Sequence, residues 1–142
     1  MPVALEPPFI LLAEDNQADV YLVRKSLEEH GVGHELRTVK DGEDALRLIA
    51  EMGSGIRCPE LVLLDLNLPK VGGSEVLERL RENPECAHVP VIVLTSSDSP
   101  DDRGDTVRLG ARAYFRKPMQ LDAFLQLGEL VRRILGEASN AP

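Results

Sequence analysis

The sequence predicts an α/β fold, a parallel five-stranded sheet covered by helices on both faces. Three short apolar runs, Phe9-Ile10-Leu11-Leu12-Ala13, Leu61-Val62-Leu63-Leu64 and Val91-Ile92-Val93-Leu94, lack the polar alternation of a half-exposed strand and fit strands buried on both sides. Stretches with apolar residues at helical spacing separate them. Strict alternation of strand and helix implies parallel strands joined by right-handed crossovers. Each run also stops at polar residues: Glu14-Asp15, Asp65 and Thr95.

The chain of 142 residues is long enough for one domain with a proper core, and 43% hydrophobic with 28% charged residues is ordinary globular composition. A net charge of -8 argues against a nucleic-acid surface, which needs clustered Lys and Arg. Met1 to Pro8 lacks the basic region of a signal peptide and reads as a flexible leader. The apolar run after it is far too short to span a bilayer. Cys58 and Cys86 have neither metal-ligand spacing nor the pattern of a disulfide framework. Free thiols in a reducing compartment are therefore expected, and a cytoplasmic location with them.

The first strand, Phe9 to Ala13, opens the domain expected over residues 9–135. Val20, Val23 and Leu27 lie on one face of a helix from Gln17 to His30, capped by Asp15 or Asn16 and closed by Gly31-Val32-Gly33. His34 to Val39 alternates and belongs at a sheet edge. Asp41-Gly42 turns into a helix reaching about Met52, and Gly53 to Pro59 is a loop before the Leu61 strand. Ser74 to Arg81 presents Val76, Leu77 and Leu80 on one side, and Asn83-Pro84 ends it. After the Val91 strand, Ser99-Pro100-Asp101-Asp102 starts a helix to Leu109 with a cap residue, a proline in first position and acids in the first turn. Ala113 to Arg116 is a fifth strand, ending at Lys117-Pro118. One last helix is expected from Gln120 to Leu135, then a polar tail, residues 136–142. The natural strand order is the flavodoxin-like 2-1-3-4-5, whose switch point lies between the first and third strands.

That order gathers Glu14, Asp15, Asp65, Thr95 and Lys117 at one rim. Packed carboxylates raise one another's pKa values unless a cation neutralises them, and an all-oxygen site of this kind suits a hard divalent ion, Mg2+ first. A phosphate is the natural further ligand, with the Lys117 ammonium and the Thr95 hydroxyl to receive it. A carboxylate beside such an ion can attack phosphorus and form an acyl phosphate. Each residue also has a plainer reading. Glu14-Asp15 could only cap a helix, Asp65 could start a turn, Thr95 could cap a loop, and Lys117 could be a solvated charge. Their shared position at the same end of four strands favours the joint reading.

The residues carrying this pattern resemble a response-regulator receiver domain, the phospho-acceptor half of two-component signalling. The match covers roughly Phe9 to Leu135. It rests on Leu11-Leu12-Ala13-Glu14-Asp15-Asn16, Leu63-Leu64-Asp65-Leu66-Asn67-Leu68-Pro69, Val93-Leu94-Thr95-Ser96 and Tyr114-Phe115-Arg116-Lys117-Pro118. Leu66-Asn67-Leu68-Pro69 and Thr95-Ser96-Ser97 are similar to the stand-alone regulators associated with bacterial phytochromes. The resemblance implies that Asp65 takes a phosphoryl group from a histidine kinase or phosphorelay protein. It implies Mg2+ on Asp15, Asp65 and the Asn67 backbone carbonyl, with Glu14 acting through a water. Lys117 would pair with a phosphoryl oxygen, Thr95 would move toward it, and Tyr114 would turn inward as Thr95 shifts. The Lys117-Pro118 step is often cis in such domains. Asn67 and Ser97 would tune the lifetime of the acyl phosphate. One departure is Gly72-Gly73, where many members have Asp-Gly; a more flexible loop is expected there.

Leu121, Phe124, Val131 and Ile134 should face the core from the last helix, while Leu127 and Leu130 widen its stripe. Either neighbouring helices cover those two leucines or they form a homodimer contact. His30, His34 and His88 are scattered and fit no metal site. Gly31-Val32-Gly33 follows a helix and lacks a dinucleotide fingerprint. Two other functions compete with a signalling switch. A dehalogenase-type phosphohydrolase would need a second Asp where Asn67 stands, and a docking module would not need the rim residues. No output domain fits after Leu135, so the signal is expected to pass through another protein or a changed oligomeric state.

Overall fold

The computed structural model describes residues 7–96 and 99–139; Met1 to Glu6 of the expected leader, Ser97, and Asn140 to Pro142 of the expected tail lie outside it. The strands are β1 (Phe9–Ala13), β2 (Glu35–Val39), β3 (Leu61–Leu64), β4 (Val91–Thr95) and β5 (Ala113–Arg116). They form one sheet in the order β2-β1-β3-β4-β5, every pairing parallel, as expected. β1, β3 and β4 are buried along their whole length, and β2 is partly exposed at its edge.

Alternation along the strands divides the core in two. Phe9, Leu11, Ala13, Val62, Leu64 and Val91 face α2 (Gly42–Glu51) and α3 (Gly73–Glu82), meeting Ala45, Ile49, Val76, Leu77 and Leu80. Ile10, Leu12, Leu61, Leu63, Ile92 and Leu94 face the other way, onto Val20, Val23 and Leu27 of α1 (Gln17–Glu29) and onto the C-terminal helices. Each such leucine stabilises the fold by about 1.5–3 kcal/mol relative to exposure. Helix α4 (Pro100–Arg108) lies after β4, with Ser99 at its N-cap and Pro100 at its start.

The last helix is not continuous. It divides into α5 (Leu121–Phe124) and α6 (Leu127–Ser139), and α6 runs on past Leu135 into the stretch expected as a tail. The cause of the break sits on α1. Buried Ser26 donates its hydroxyl to Leu125 O at 2.8 Å and accepts the Gly128 N–H at 2.7 Å, so one side chain serves two backbone groups that the interruption would leave unpaired. A Cβ on Gly128 would lie 2.3 Å from Ser26 O, so close packing of α6 on α1 requires glycine there. Leu127 is fully buried in this packing and Leu130 half-buried, which favours coverage by neighbouring helices at Leu127, whereas Leu121, expected in the core, is exposed at the start of the short α5 that the break sets apart.

The expectation of free thiols is overturned. Cys58 and Cys86, separated by 28 positions, form a disulfide with their Cα atoms 5.6 Å apart. It joins the loop after α2 to the loop after α3, where Asn83 already ties the two. Its Nδ2 donates to Ile49 O at 3.0 Å and Met52 O at 3.2 Å, while its Oδ1 accepts from Glu85 N at 2.9 Å. A lone pair of cysteines so far apart carries no motif, and only the fold brings them together. With the thiols goes the argument from them to a reducing compartment. A closed loop of this length is worth about 3–4 kcal/mol through the unfolded chain. Reduction, or Cys58→Ser, should lower stability by about that amount in urea denaturation. An unchanged midpoint would show that the bond contributes nothing.

Candidate functional site

Backbone ladders carry the polar residues one step past the strand ends and keep them in register. Glu14 N–H donates to Val39 O at 3.0 Å, Asp65 N–H to Ala13 O at 3.0 Å, and Lys117 N–H to Thr95 O at 2.8 Å. The C-terminal edge of the sheet therefore fixes Glu14, Asp65, Thr95 and Lys117 relative to one another before any side chain is considered. Asn16 proves to be the residue capping α1: its Oδ1 accepts from Asp19 N at 3.1 Å. This turns the helix away immediately after the acid pair.

Lys117 is the hub. Its Nζ lies 2.6 Å from Glu14 Oε2, 2.7 Å from Asp19 Oδ2 and 2.9 Å from Asp65 Oδ2, with its side chain only 11% exposed. Burial alone would push this ammonium's pKa down, but the facing carboxylates of Asp19, Glu14 and Asp65 outweigh it and push the pKa up. Glu14 shows the opposite balance. Burial pushes its carboxyl up to about 7, only partly offset by Lys117 and by the Asn16 N–H, while the charge of Asp65 adds to the rise. Its Oε1 accepts that N–H at 3.1 Å, but among the described residues the buried Oε2 has no aligned hydrogen-bond donor despite its nearness to Lys117.

The remaining predicted residues are distributed around this hub. Exposed Asp15, with Glu14 and Asp65, offers ligand oxygens that all lie within 4.8 Å of one another. Three convergent carboxylate oxygens fit a small hard cation. Asp65 is 4% exposed and its Oδ1 accepts the Asn67 N–H at 2.9 Å. The Asn67 side chain turns to Thr95, with Nδ2 donating to Oγ1 at 3.3 Å, a link sequence reasoning did not foresee. Thr95 is fully buried at the end of β4. Tyr114 is half-buried on β5, with the Arg103 guanidinium of α4 stacked 4.4 Å from its ring centre. No peptide bond among the described residues is cis, so Lys117-Pro118 is trans here.

Asp19 is the site residue that sequence reasoning missed. It reads as an acid in the first turn of a helix, where acids are favoured anyway. The only available signal was its position one helical turn beyond Asp15, on the side facing the rim. The loop after Asp65 is also tighter than expected. Lys70 adopts φ 71, and Val71 N–H closes a turn onto Pro69 O at 2.8 Å. A Cβ on Gly73 would lie 2.5 Å from Asp65 O, so the second glycine of Gly72-Gly73 answers a close approach to the backbone just after β3.

Comparison with known proteins agrees with this geometry. Residues 10–128 match the response regulator receiver domain family. The chain is 39% identical over 117 residues to Response regulator Rcp1 of Synechocystis sp., covering 81% of this chain and 80% of that protein. The crystal structure of the phosphorylated cyanobacterial phytochrome response regulator RcpA superposes with a TM-score of 0.83 at 34% identity, covering 96% of this chain and 98% of that one. The Mn(2+)-bound form of Rcp1 gives the same TM-score of 0.83 at 35% identity, covering 96% and 99%.

The Glu14 shift has a consequence in metal-free protein. The folded state holds this proton up to about 7, whereas the ordinary carboxyl loses it at 4.5. Between those values the folded state binds more protons, so the contribution of Glu14 to stability is full below 4.5 and is lost as pH rises through 7. Urea denaturation in a chelator should show wild type losing more stability than Glu14→Gln between about pH 5 and about pH 8. Parallel profiles would contradict the burial argument.

Proposed function

The chain belongs to the response regulator receiver domain family, and from that premise we propose that it is a phosphorylation switch with Asp65 as the acceptor. The observation that carries the proposal is Asp65 itself, buried at the end of β3, with an ammonium 2.9 Å from one oxygen and two further carboxylates beside it. An Asp65 oxygen attacks the phosphorus of a phosphohistidine on a sensor kinase, of the phytochrome type, or on a phosphorelay protein. The O–P bond forms as the P–N bond breaks, and the leaving imidazole keeps the electron pair and takes up a proton.

Lys117 steadies the Asp65 carboxylate and then pairs with a phosphoryl oxygen. Thr95 offers its hydroxyl to another, giving up its hydrogen bond with Asn67 as it moves. Asp15, Asp65 and the Asn67 backbone carbonyl would hold Mg2+, with Glu14 acting through a water. When bound, that ion supplies neutralisation of the charge gathering on the phosphoryl oxygens. Tyr114 follows Thr95 inward, leaving the Arg103 guanidinium. Local charge thus biases a two-state surface.

The protein acts as a switch rather than a turnover enzyme, with slow loss of its own phosphoryl group. Its signal passes to a partner protein or through oligomeric state. A homodimer through the last helix would use outer positions such as half-exposed Leu121, since Leu127 is fully buried. Among the described residues no helix is long and apolar enough to cross a membrane. We place its action in the cytoplasm, beside the ATP-dependent kinases that would charge it.

Acetyl phosphate with Mg2+ should add one stable phosphoryl group to the chain by intact mass. Asp65→Asn and chelation should each abolish the product. Labelling that persists in Asp65→Asn would overturn the assignment, and rapid release of phosphate would favour an enzyme.

A further inference from the structure

The proposed switch uses Lys117, Thr95 and the metal-binding acids, but it leaves one carboxylate in the site without a task. Asp19 stands on α1, not on a strand end, and its oxygens are not among those of Glu14, Asp15 and Asp65 that converge within 4.8 Å. Even so it makes a 2.7 Å hydrogen bond to Lys117 Nζ. An ammonium has three N–H donors, and three carboxylates surround this one. The Glu14 side chain is fully buried and comes from the sheet, so it cannot leave. Asp65 passes its share of the ammonium to whatever group it carries. Asp19, on the helix and with 19% of its side chain exposed, is the carboxylate that remains beside an arriving anion.

We infer that Asp19 is a positioning residue that divides the Lys117 ammonium with Asp65 in the resting protein and, by keeping a negative charge beside the phosphoryl oxygens, weakens the phosphorylated state. This rests on Asp65 being the acceptor. Asp19 therefore sets how readily the site takes an anion. A like charge a few ångströms from an anionic group in a half-buried site costs enough to shift an equilibrium severalfold.

The test is a titration of the full chain with beryllofluoride in saturating Mg2+, following the Asp65 adduct by fluorine NMR. Asp19→Asn removes the charge while keeping an oxygen for Lys117 and the backbone N–H that Asn16 caps. It should lower the half-saturating concentration by about threefold or more. Asp19→Ser, a second neutral variant, should shift it in the same direction, and Asp19→Glu should return it toward wild type. A merely structural role would instead weaken beryllofluoride binding together with the unfolding midpoint. Equal or weaker binding in both neutral variants, with an adduct present on wild type, would overturn the inference alone. Absence of any wild-type adduct would overturn the assignment of Asp65, and this inference with it.

Discussion

One buried ammonium holds the functional end of this molecule together. Lys117 Nζ lies within 2.9 Å of carboxylate oxygens from β1, α1 and β3, and without it those charges would repel one another in a partly desolvated space. The lysine itself arrives from the opposite edge of the sheet, just after β5. The ion pairs therefore exist only because five strands are stacked in one parallel order with their C-terminal ends level. The arrangement still carries more negative than positive charge. Burial raises the Glu14 carboxyl to about 7, and the nearby charge of Asp65 adds to the rise. A site left in this condition is prepared for a cation.

The apolar interior exists, in functional terms, to hold that rim still. β1, β3 and β4 are buried over their whole length, and their alternate residues anchor separate helical layers. β1 and β3 end where the next residue becomes polar and β4 ends on Thr95 itself, so burial and chemistry are set by the same boundary. The loops are tightened to match. Gly73 lets α3 approach the backbone just after β3, and the Lys70 turn brings Pro69 O to the start of α2, where it accepts the Gly42 N–H at 3.0 Å. On the other side, Asn67 joins Thr95 to the loop after β3, and Tyr114 of β5 meets Arg103 of α4. These are weak links compared with the sheet.

Much of this was legible in the sequence because it depends on one-dimensional signals. Unbroken apolar runs marked the buried strands, helical periodicity marked α1 to α3, cap and proline signals marked α4, and the position of each acid, hydroxyl or amine just after a run located the rim. What escaped depends on contacts between distant residues. The interruption of the last helix is written on α1, in Ser26, and periodicity within the helix cannot reveal it. The Cys58–Cys86 bond joins two loops that only the packing of α2 on α3 brings together. Asp19 was hidden by a plausible local role, since an acid in a first turn needs no further explanation. The same reasoning read Gly72-Gly73 as flexibility, whereas one of the two glycines answers a steric demand.

The account stands on Lys117 being a charged, enclosed partner of three carboxylates in the resting protein. Its side-chain pKa is the direct test, followed in metal-free protein by NMR of the carbon next to Nζ across alkaline pH. The account predicts that this lysine keeps its proton above the ordinary value of 10.5, and that substituting Asp19 or Glu14 by the amide brings it down. A resonance that titrates at or below 10.5 in the wild-type protein would mean the ammonium is not held as described, and the electrostatic organisation of the site would have to be drawn again.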